Sequence, residues 1–441
     1  MTAPPAVAAP PALQTARWLF RPTEFLDSCR RRYGNTFSVM FVGFQTPMVM
    51  ISDPASIGTL YRGRENGLPP GRSFALESVM GARSVLLLDG AEHLSRRKLM
   101  LPAFHGERMR AYEDVIGEVA RAEIDSWPVG STFAIHPRMQ AVTLEVIMRA
   151  AFGVTDASRL ERLGRLLGEM LADLGSPRLQ VRVLLARRLG REDPMVELRR
   201  KSRPVDDLLQ VEVAERRADP KLDERTDILS MLVGARFDDG EAMSDEELRD
   251  QLITLLLAGH ETTATALAWT FDLLLRNPRK LSRLQAEVSE GDEQYLRAVI
   301  SESLRLRPVV PLAGRRLNSA LEVDGFELPE GTDVTPAIWL AHTRADIYPD
   351  PFEFRPERFL ENPPETYAWI PFGGGVRRCL GAAFAEFEMR IVLREVLTRC
   401  ELRSARSAPQ RIARRNITFS PRHGTPVSVI SRTRSAHPGF G

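Results

Sequence analysis

A cysteine at the end of a glycine-rich loop is well suited to hold a metal. Cys379 follows Phe372, three glycines and two arginines, and a helix is predicted from about Leu380. The N–H groups of a helix N-terminus and the charges of Arg377 and Arg378 favour a thiolate. Glycine lets the backbone approach a flat partner closely. Zinc and iron–sulfur sites need several cysteines, whereas haem needs one. The loop predicts a haem ligand, with a buried structural cysteine as the alternative.

A polar cluster interrupts the longest apolar segment of the chain. Residues 258–263 read Ala-Gly-His-Glu-Thr-Thr and lie in the middle of a predicted helix. Polar side chains are costly in such surroundings unless they have partners. The hydroxyl of Thr262 could bond the carbonyl of Ala258, four residues earlier, and bend the helix. The cluster predicts either a structural kink or an acid–alcohol pair, Glu261 and Thr262.

The cysteine loop matches a known signature at every fixed position. The pattern Phe-x-x-Gly-x-Arg-x-Cys-x-Gly over residues 372–381 resembles the signature loop of the cytochrome P-450 superfamily, in its soluble bacterial type. The resemblance implies that Cys379 is the axial thiolate ligand of haem b, iron protoporphyrin IX. It also implies that Phe372 packs near the thiolate, that Arg377 bonds a haem propionate, and that Gly381 belongs to the cofactor-binding loop.

The polar cluster on the long helix is similar to the acid–alcohol pair of the same family. By that resemblance, Thr262 would hydrogen-bond dioxygen at the haem, and Glu261 would help to relay protons from solvent. His260 is interpreted as a spacer residue and not as a catalyst. Peroxide-driven relatives commonly lack the pair, so its presence favours a monooxygenase.

Further cations match positions that bind the haem propionates in the family. His93 and Arg97 are four residues apart on a predicted early helix and share a face. The segment around them resembles the family's propionate-binding helix, where cations make charge-assisted bonds to carboxylates. Arg315 matches another propionate-binding arginine, although its neighbour Arg316 is an alternative. A solvated polar stripe is the competing interpretation of His93 and Arg97.

Three charged residues are predicted to have a structural role. Glu302 and Arg305 share one helical face, and such pairs are common and weak on protein surfaces. In the family, a pair of this kind is joined by an arginine of a Pro-Glu-Arg-Phe segment, which is matched here by Arg358. One carboxylate shared by two guanidiniums would then hold the segment that carries the cysteine loop.

The elements that must position these residues are mainly helical. Residues 37–51 predict a β-hairpin, and a capping box at Ser244 and Glu247 predicts the start of a long helix that ends near Asn277. The predicted fold class is mainly α with small β-sheets. The resemblance implies the cytochrome P-450 fold, with haem between the long central helix and the cysteine loop. Residues 1–16 are predicted to be disordered, and residues 17–441 to form a single domain.

Composition narrows the possible partners and location. The net charge of +2 gives no argument for binding nucleic acid. Three cysteines far apart in the sequence do not form a disulfide framework and indicate a reducing cytoplasm. The sequence predicts no transmembrane segment and no signal peptide. Peripheral membrane contact stays open, as does the role of the basic region 178–201, which could meet substrate, membrane or only solvent.

The resemblance implies a haem-thiolate monooxygenase that inserts one oxygen atom from O₂ into a hydrophobic substrate, such as a fatty acid, a terpenoid or a steroid-like molecule. The apolar candidate pocket residues are Phe74, Leu76, Val79, Met80, Leu86, Leu255, Ala258, Val310, Leu312 and Phe419. Because no flavin or ferredoxin-like region is attached, a separate ferredoxin or flavodoxin is expected to supply electrons. It would dock on the Cys379 face near basic residues that include Arg96, Lys98, Arg108, Arg110 and Arg378. The alternatives are a non-hydroxylating haem-thiolate enzyme (peroxygenase, coupling or isomerising) and a haem-binding sensor.

Overall fold

The chain divides into two compact units. The computed structural model describes residues 3–63, 79–106, 108–154, 156–175, 195–415 and 417–433. Unit 1 comprises Met1–Pro69, Ala120–Gln140 and Thr262–Gly441, and unit 2 comprises Pro70–Val119 and Ala141–Glu261. The expected single domain over residues 17–441 stays a prediction.

Helices make up most of the described chain. In chain order they are α1 (Pro11–Phe20), α2 (Pro22–Tyr33), α3 (Pro54–Arg62), α4 (Gly90–Met100), α5 (Arg108–Asp125), α6 (Ile135–Phe152), α7 (Ala157–Gly175), α8 (Met195–Ala218), α9 (Ile228–Gly234), α10 (Asp245–Leu275), α11 (Pro278–Ser289), α12 (Gln294–Leu306), α13 (Ile338–His342), α14 (Arg358–Glu361) and α15 (Ala382–Arg399). Single turns of 3₁₀ helix lie at Leu101–Phe104, Leu222–Glu224 and Gly375–Arg377. Within the described ranges, no helix combines the length and apolar character needed to span a bilayer.

The strands form small sheets in unit 1. They are β1 (Thr36–Val39), β2 (Met48–Ile51), β3 (Thr132–Ala134), β4 (Arg315–Arg316), β5 (Leu321–Val323), β6 (Phe326–Leu328), β7 (Asp333–Pro336), β8 (Cys400–Ser404), β9 (Ile412–Arg415), β10 (Thr418–Pro421) and β11 (Pro426–Arg432). The largest sheet has the order β1-β2-β7-β4, and the others are β3-β11-β8, β9-β10 and β5-β6. The predicted hairpin is confirmed as β1 and β2, paired antiparallel. The predicted class, mainly α with small sheets, is also confirmed.

The N-terminal segment differs from the disorder expected for residues 1–16. The N–H of Val7 donates to the carbonyl of Ser38 at 2.9 Å, beside β1, and α1 begins at Pro11. Proline suits the first position of a helix because its missing N–H would have no helical acceptor there. Trp18 of α1 is only 8% exposed and packs against Phe41 and Phe419. Burial of one large ring anchors a short segment that is otherwise rich in alanine and proline.

The long helix α10 begins as the sequence predicted. The N–H of Ser244 donates to Glu247 Oε2 at 3.0 Å, and the N–H of Glu247 donates to Ser244 Oγ at 3.2 Å. This reciprocal pair is a capping box, which satisfies two N–H groups that have no helical partner. Residues 251–256 and 263–274 of the helix are buried throughout. Such complete burial fits the apolar sequence of the helix.

Candidate functional site

The Cys379 loop is a short closed turn in unit 1. The N–H of Cys379 donates to the carbonyl of Phe372 at 2.9 Å, which closes the loop over residues 372–379. Cys379 itself is exposed. The helix α15 begins at Ala382 with Gly381 as its N-cap residue, slightly later than the predicted start near Leu380. The thiol therefore lies at the end of a hydrogen-bonded turn, just before a helix N-terminus.

The loop glycines make room for a tyrosine. Gly375 has φ +65°, and a Cβ placed there would lie 2.4 Å from the carbonyl oxygen of Tyr61. A Cβ at Gly374 would lie 2.4 Å from Cδ2 of the same tyrosine. The sequence predicts close approach to a flat partner at these glycines. In the structure, Gly374 and Gly375 approach α3, which carries Tyr61, and a larger residue would force the loop away from it.

Arg315, rather than Arg316, is attached to the loop. Arg315 is 7% exposed, donates from Nη2 to the carbonyl of Gly374 at 3.3 Å, and places its guanidinium 5.3 Å from the centre of the Tyr61 ring. Arg316 instead makes two parallel bonds to Asp333, at 2.8 and 2.9 Å. A paired fork of this kind is already neutralised. The geometry therefore favours Arg315 over Arg316 as a group that could receive an anion beside the loop.

The other predicted loop residues lie in unit 1 as well. Arg377 ends the 3₁₀ turn Gly375–Arg377 and is partly buried. Phe372 packs edge-to-face with Trp369, with ring centres 6.3 Å apart. Gly381 has φ −88°, and no atom lies within 4 Å of a Cβ built there. Neither backbone strain nor crowding therefore explains glycine at position 381, in contrast to Gly375.

A buried group of charges supports the segment before the loop. Arg305 donates from Nε to Glu302 Oε2 at 2.6 Å and from Nη2 to Oε1 at 2.8 Å, and Arg358 Nε donates to the same Oε1 at 3.1 Å. Glu302 and Arg305 are fully buried, and Arg358 is 7% exposed. This is the predicted arrangement of one carboxylate between two guanidiniums. Such a group is costly to desolvate but destabilises strongly when one partner is removed.

The same arginines satisfy backbone carbonyls of an irregular stretch. Arg305 Nη1 donates to the carbonyls of His342 and Pro351 at 2.7 and 2.8 Å, and Arg358 Nη1 donates to that of Pro349 at 3.2 Å. The N–H of Ile370 donates to His342 Nε2 at 2.8 Å, so Nδ1 must carry the ring proton. Burial, with Arg305 nearby, lowers the pKa of His342 to about 3. This histidine is therefore a neutral structural acceptor.

The acid–alcohol pair lies on a less buried stretch in the middle of α10. Ala258 is exposed, and Glu261 and Thr262 are partly exposed, whereas the residues on either side of this stretch are buried. The spacing of three and four places these side chains on one face. The helix stays α-helical from Asp245 to Leu275, through the cluster in which a kink was one interpretation. Glu261 ends the unit 2 part of the helix, and Thr262 begins the unit 1 part.

Histidine–threonine pairs tie α10 to α6 on either side of this pair. In unit 2, Thr143 Oγ1 lies 3.1 Å from His260 Nδ1 and donates to the His260 carbonyl at 3.0 Å. In unit 1, His136 Nε2 lies 3.1 Å from Thr265 Oγ1. Burial lowers the pKa of His260 to about 4, so the ring is neutral near pH 7. His260 was interpreted as a spacer, but its ring holds the helix. Nothing in the local sequence around His260 indicated Thr143.

In unit 2, the stretch around Ser84 is bound to the first half of α10. The N–H of Arg83 donates to Asp250 Oδ2 at 3.0 Å, and the N–H of Val85 donates to Gln251 Oε1 at 2.9 Å. The hydroxyls of Ser84 and Thr254 are 2.6 Å apart. These buried polar groups of the helix thus find partners, as their burial requires. No motif in the sequence indicated this contact.

The predicted propionate ligands of the early helix lie in unit 2. His93 is buried and Arg97 is partly buried, both on α4. The nearby basic residues are not all available to a partner. Arg96 Nη2 pairs with Glu247 Oε1 at 2.6 Å, and Lys98 Nζ pairs with Asp238 Oδ1 at 2.6 Å. The other basic residues considered for docking are exposed; they are Arg108, Arg110 and Arg378.

The candidate pocket residues fall into different classes. Phe74, Leu76 and residues 178–194 of the basic region lie outside the described residues. Leu312 and Phe419 belong to the hydrophobic core of unit 1, which was the alternative interpretation for all ten. Among the remaining residues of the set, Val79, Met80 and Leu255 are buried and Val310 is half-buried. Leu86 and Ala258 are exposed.

The remaining cysteines are poor ligands. Cys29 and Cys400 are buried, and burial raises the pKa of each thiol to about 11. A thiol with such a pKa is protonated near neutral pH and is neither a nucleophile nor a ligand. Across the described ranges, no group of three or more histidine, cysteine or acidic residues could hold a metal ion. An exposed cysteine on a loop that also contacts the buried Arg315 suits a metal that brings its own macrocycle.

Comparisons with known proteins agree on one family. The family model for cytochrome P450 matches residues 8–425. A relative named cytochrome P450 135B1 from Mycobacterium tuberculosis is 42% identical over 97% of this chain and 92% of its own length. Another M. tuberculosis relative, named cytochrome P450 137, is 42% identical over 90% of this chain and 83% of its own.

Solved structures share the fold. The retinoic-acid-bound cyanobacterial CYP120A1 aligns with a TM-score of 0.83 at 24% identity, covering 97% of this chain and 99% of its own. The haem domain of cytochrome P450DA aligns with a TM-score of 0.82 at 22% identity, covering 98% of each chain. At these identities the likeness extends to the fold, which agrees with the predicted one.

Proposed function

The chain belongs to the cytochrome P450 family, and from that premise we propose that it inserts one oxygen atom from O₂ into a hydrophobic organic substrate. Its general activity is that of a monooxygenase, and its cofactor is haem with an axial cysteine thiolate. The observation that carries the proposal is the exposed Cys379 at the end of a closed loop, beside the buried cation Arg315.

The residues of unit 1 fit this cofactor. We propose that Cys379 is the thiolate ligand, because the other two cysteines are buried and have raised pKa values. Arg315 and Arg377 are proposed to bind a propionate, since guanidinium groups bind carboxylates through charge-assisted hydrogen bonds. Phe372 and Gly381, which lie before and after Cys379 in the sequence, would flank this ligand. His93 and Arg97 of unit 2 stay predicted propionate ligands.

When bound, the haem supplies O₂ binding and O–O cleavage, driven by two electrons and two protons. The chain supplies the path for the protons. We propose that the hydroxyl of Thr262 holds a proton at the oxygen site and that the carboxyl of Glu261 exchanges protons with solvent. Their partial exposure between two buried stretches of the helix, 251–256 and 263–274, supports this, because a proton relay must reach water. The buried, neutral His260 would fix the helix without taking up a proton.

The substrate class is proposed to be hydrophobic, in the range of fatty acids, terpenoids and steroid-like molecules. Val79, Met80 and Leu255 of unit 2 are apolar residues among those considered for the pocket. Apolar walls with few polar groups suit such ligands. A spin-state shift of the haem on adding members of these classes would identify the class, and no shift with any of them would reject the proposal.

Electrons are proposed to come from a separate acidic ferredoxin or flavodoxin. Arg108, Arg110 and Arg378 are exposed, whereas Arg96 is half-buried and paired with Glu247, and the exposed Lys98 is paired with Asp238. We therefore assign the steering of a partner to the first three. The rate of reduction should fall as ionic strength rises, and a rate that does not depend on salt would contradict this. A cytoplasmic location fits such a partner and stays a prediction.

The ligand is tested by one spectrum. Purified wild-type protein, reduced and exposed to carbon monoxide, should show the strongly red-shifted Soret band of thiolate-ligated haem. Cys379→Ala should lose this band completely, whereas the matched control Cys400→Ala should keep it. A band that survives in Cys379→Ala, or a wild type that purifies without haem, would reject the assignment.

The oxidant is tested by turnover. Product formation that needs O₂ and a reductant, together with loss of coupled turnover in Thr262→Ala, would distinguish a monooxygenase from a peroxygenase or an isomerase. Turnover with peroxide alone, unaffected by Thr262→Ala, would favour the peroxygenase.

A further inference from the structure

A buried tyrosine beside the Cys379 loop has a hydroxyl group without a partner. Tyr61, at the C-terminal end of α3, is only 4% exposed. Its Oη is buried and makes no hydrogen bond within the part of the chain that the structure describes. Burying a hydroxyl without a partner is unfavourable, and phenylalanine would fill the same space without this cost. We therefore expect a bound group to accept a hydrogen bond from this hydroxyl.

The surroundings of Tyr61 indicate what kind of acceptor fits. The ring packs against Gly374, and a Cβ at Gly373 would lie 3.8 Å from Oη, so the hydroxyl is at the surface of the loop. The guanidinium of Arg315 lies 5.3 Å from the ring centre and bonds the loop through Gly374. The hydroxyl of Tyr61 is a donor and the guanidinium of Arg315 is a cation, and both contact the loop at Gly374. Together they are complementary to an anionic oxygen.

We propose that Tyr61 donates a hydrogen bond from Oη to a carboxylate of the bound haem, next to Arg315. The inference rests on the proposed function, since it requires haem held by the Cys379 loop. It adds Tyr61, which belongs to none of the sequence motifs, to the proposed haem-binding residues. Tyr61 is a positioning residue that holds the edge of the cofactor and takes no part in the reaction.

The protonation state of Tyr61 is compatible with this role. Burial raises the pKa of Tyr61 to about 12, although the charge of Arg315 acts in the opposite direction. The phenol therefore keeps its proton across the physiological range and remains a donor. The position of the phenol also depends on Gly374, because any side chain there would displace the ring of Tyr61.

The chain offers a matched control for removing this hydroxyl. Tyr367 packs against Tyr61, with ring centres 6.2 Å apart, and is partly exposed. Tyr61→Phe and Tyr367→Phe each remove one hydroxyl from the same aromatic pair. The measurement is the rate at which ferric haem leaves each holoprotein for an excess of a haem-scavenging apoprotein, followed at the Soret band.

Tyr61→Phe should lose haem about tenfold faster than wild type, as expected for one hydrogen bond to a charged group. Tyr367→Phe should stay within about twofold of wild type, the range expected when no such bond is lost. Repeating the measurement after reconstitution with haem dimethyl ester separates a bond from packing. With the carboxylates esterified, the difference between wild type and Tyr61→Phe should shrink, because an ester carbonyl is uncharged and accepts only a weaker hydrogen bond.

The outcomes separate this inference from the proposed function. Equal rates of haem loss for wild type and Tyr61→Phe, with the thiolate carbon monoxide band present in both, would overturn the role of Tyr61 alone. An undiminished difference with the dimethyl ester would also overturn it, because the effect would then come from packing. A wild type without the thiolate band would overturn both.

Discussion

The segment that leads to Cys379 and the helix that carries Thr262 are held in different ways. Between α13 and α15 the backbone is mostly irregular, and the buried cations Arg305 and Arg358 bond its carbonyls while sharing Glu302. Along α10 the backbone bonds itself, and the side-chain contacts beside the acid–alcohol pair are neutral, such as Thr143 with His260. An irregular backbone needs outside donors for its carbonyls, whereas a helix needs only contacts that set its rotation.

This difference has a consequence for how each region tolerates change. A buried charged group is lost as a unit, because removing one member leaves the others unpaired and desolvated. A neutral pair loses about one hydrogen bond. The thiolate side should therefore respond steeply to substitution and the oxygen side mildly. Four substitutions test this contrast, from the largest expected effect to the smallest.

Glu302→Gln should have the largest effect. It removes the negative charge between Arg305 and Arg358 and leaves two buried guanidiniums without a counter-ion. The free energy of unfolding, measured with urea, should fall by about 3–5 kcal/mol. Glu330→Gln, in an exposed turn, is the control and should stay within about 0.5 kcal/mol of wild type. A loss below about 1 kcal/mol for Glu302→Gln, well short of the cost of an uncompensated buried charge, would mean that the charges do not hold this segment.

Gly375→Ala should come next. The new methyl group would meet the Tyr61 carbonyl, at a backbone position with φ +65°. Overpacking costs about 1–3 kcal/mol and the left-handed conformation about 1–2 more, so we expect a loss of about 2–5 kcal/mol in urea unfolding. Gly381→Ala, where φ is −88° and no neighbour is close, should change the free energy of unfolding little. Similar losses at both positions would contradict the close approach to α3.

Thr143→Val tests the neutral side. It removes the hydrogen bonds to the ring and carbonyl of His260, and the free energy of unfolding should fall by about 1–2 kcal/mol. The control is Thr398→Val, on an exposed part of α15, which should change it by less than about 0.5 kcal/mol. A loss as large as that of Glu302→Gln would remove the contrast between the two regions.

Gly259→Ala should have the smallest effect, with the opposite sign. A Cβ there would contact Ile147 Cδ1 at 3.5 Å, an ordinary van der Waals distance. Replacing glycine by alanine in a helix interior stabilises it by about 0.5–1 kcal/mol, so thermal or urea unfolding should show a gain of that order. A loss would indicate that α10 needs glycine at this position, as the loop needs Gly375.

Local patterns in the sequence were sufficient for much of the frame. The capping box at Ser244, the hairpin of β1 and β2, and the group around Glu302 appear in the structure as predicted. The first two depend on residues that are close in the sequence. The third depends on two family motifs, one with Glu302 and Arg305 and one with Arg358. Arg315 could be distinguished from Arg316 only by the pairing of the latter with Asp333.

Contacts between distant parts of the chain could not be predicted from the sequence. Tyr61 looks like an ordinary apolar position of a short helix, and only the structure brings it to Gly374. Thr143 and His260 lie in different helices with no pattern in common. Disorder was expected for residues 1–16 from their alanine and proline content, but the anchoring ring of Trp18 comes just after that range.

The order of the largest sheet bears on how the chain folds during synthesis. β2 pairs with β1, which precedes it closely, and with β7, which leaves the ribosome much later. Until then, Met48–Ile51 is an apolar strand with one unsatisfied edge, the kind of edge that pairs with other chains. Long-range pairing of this sort also slows folding. The nascent protein should therefore depend on chaperones, or on slow translation at low temperature, until residue 336 has emerged.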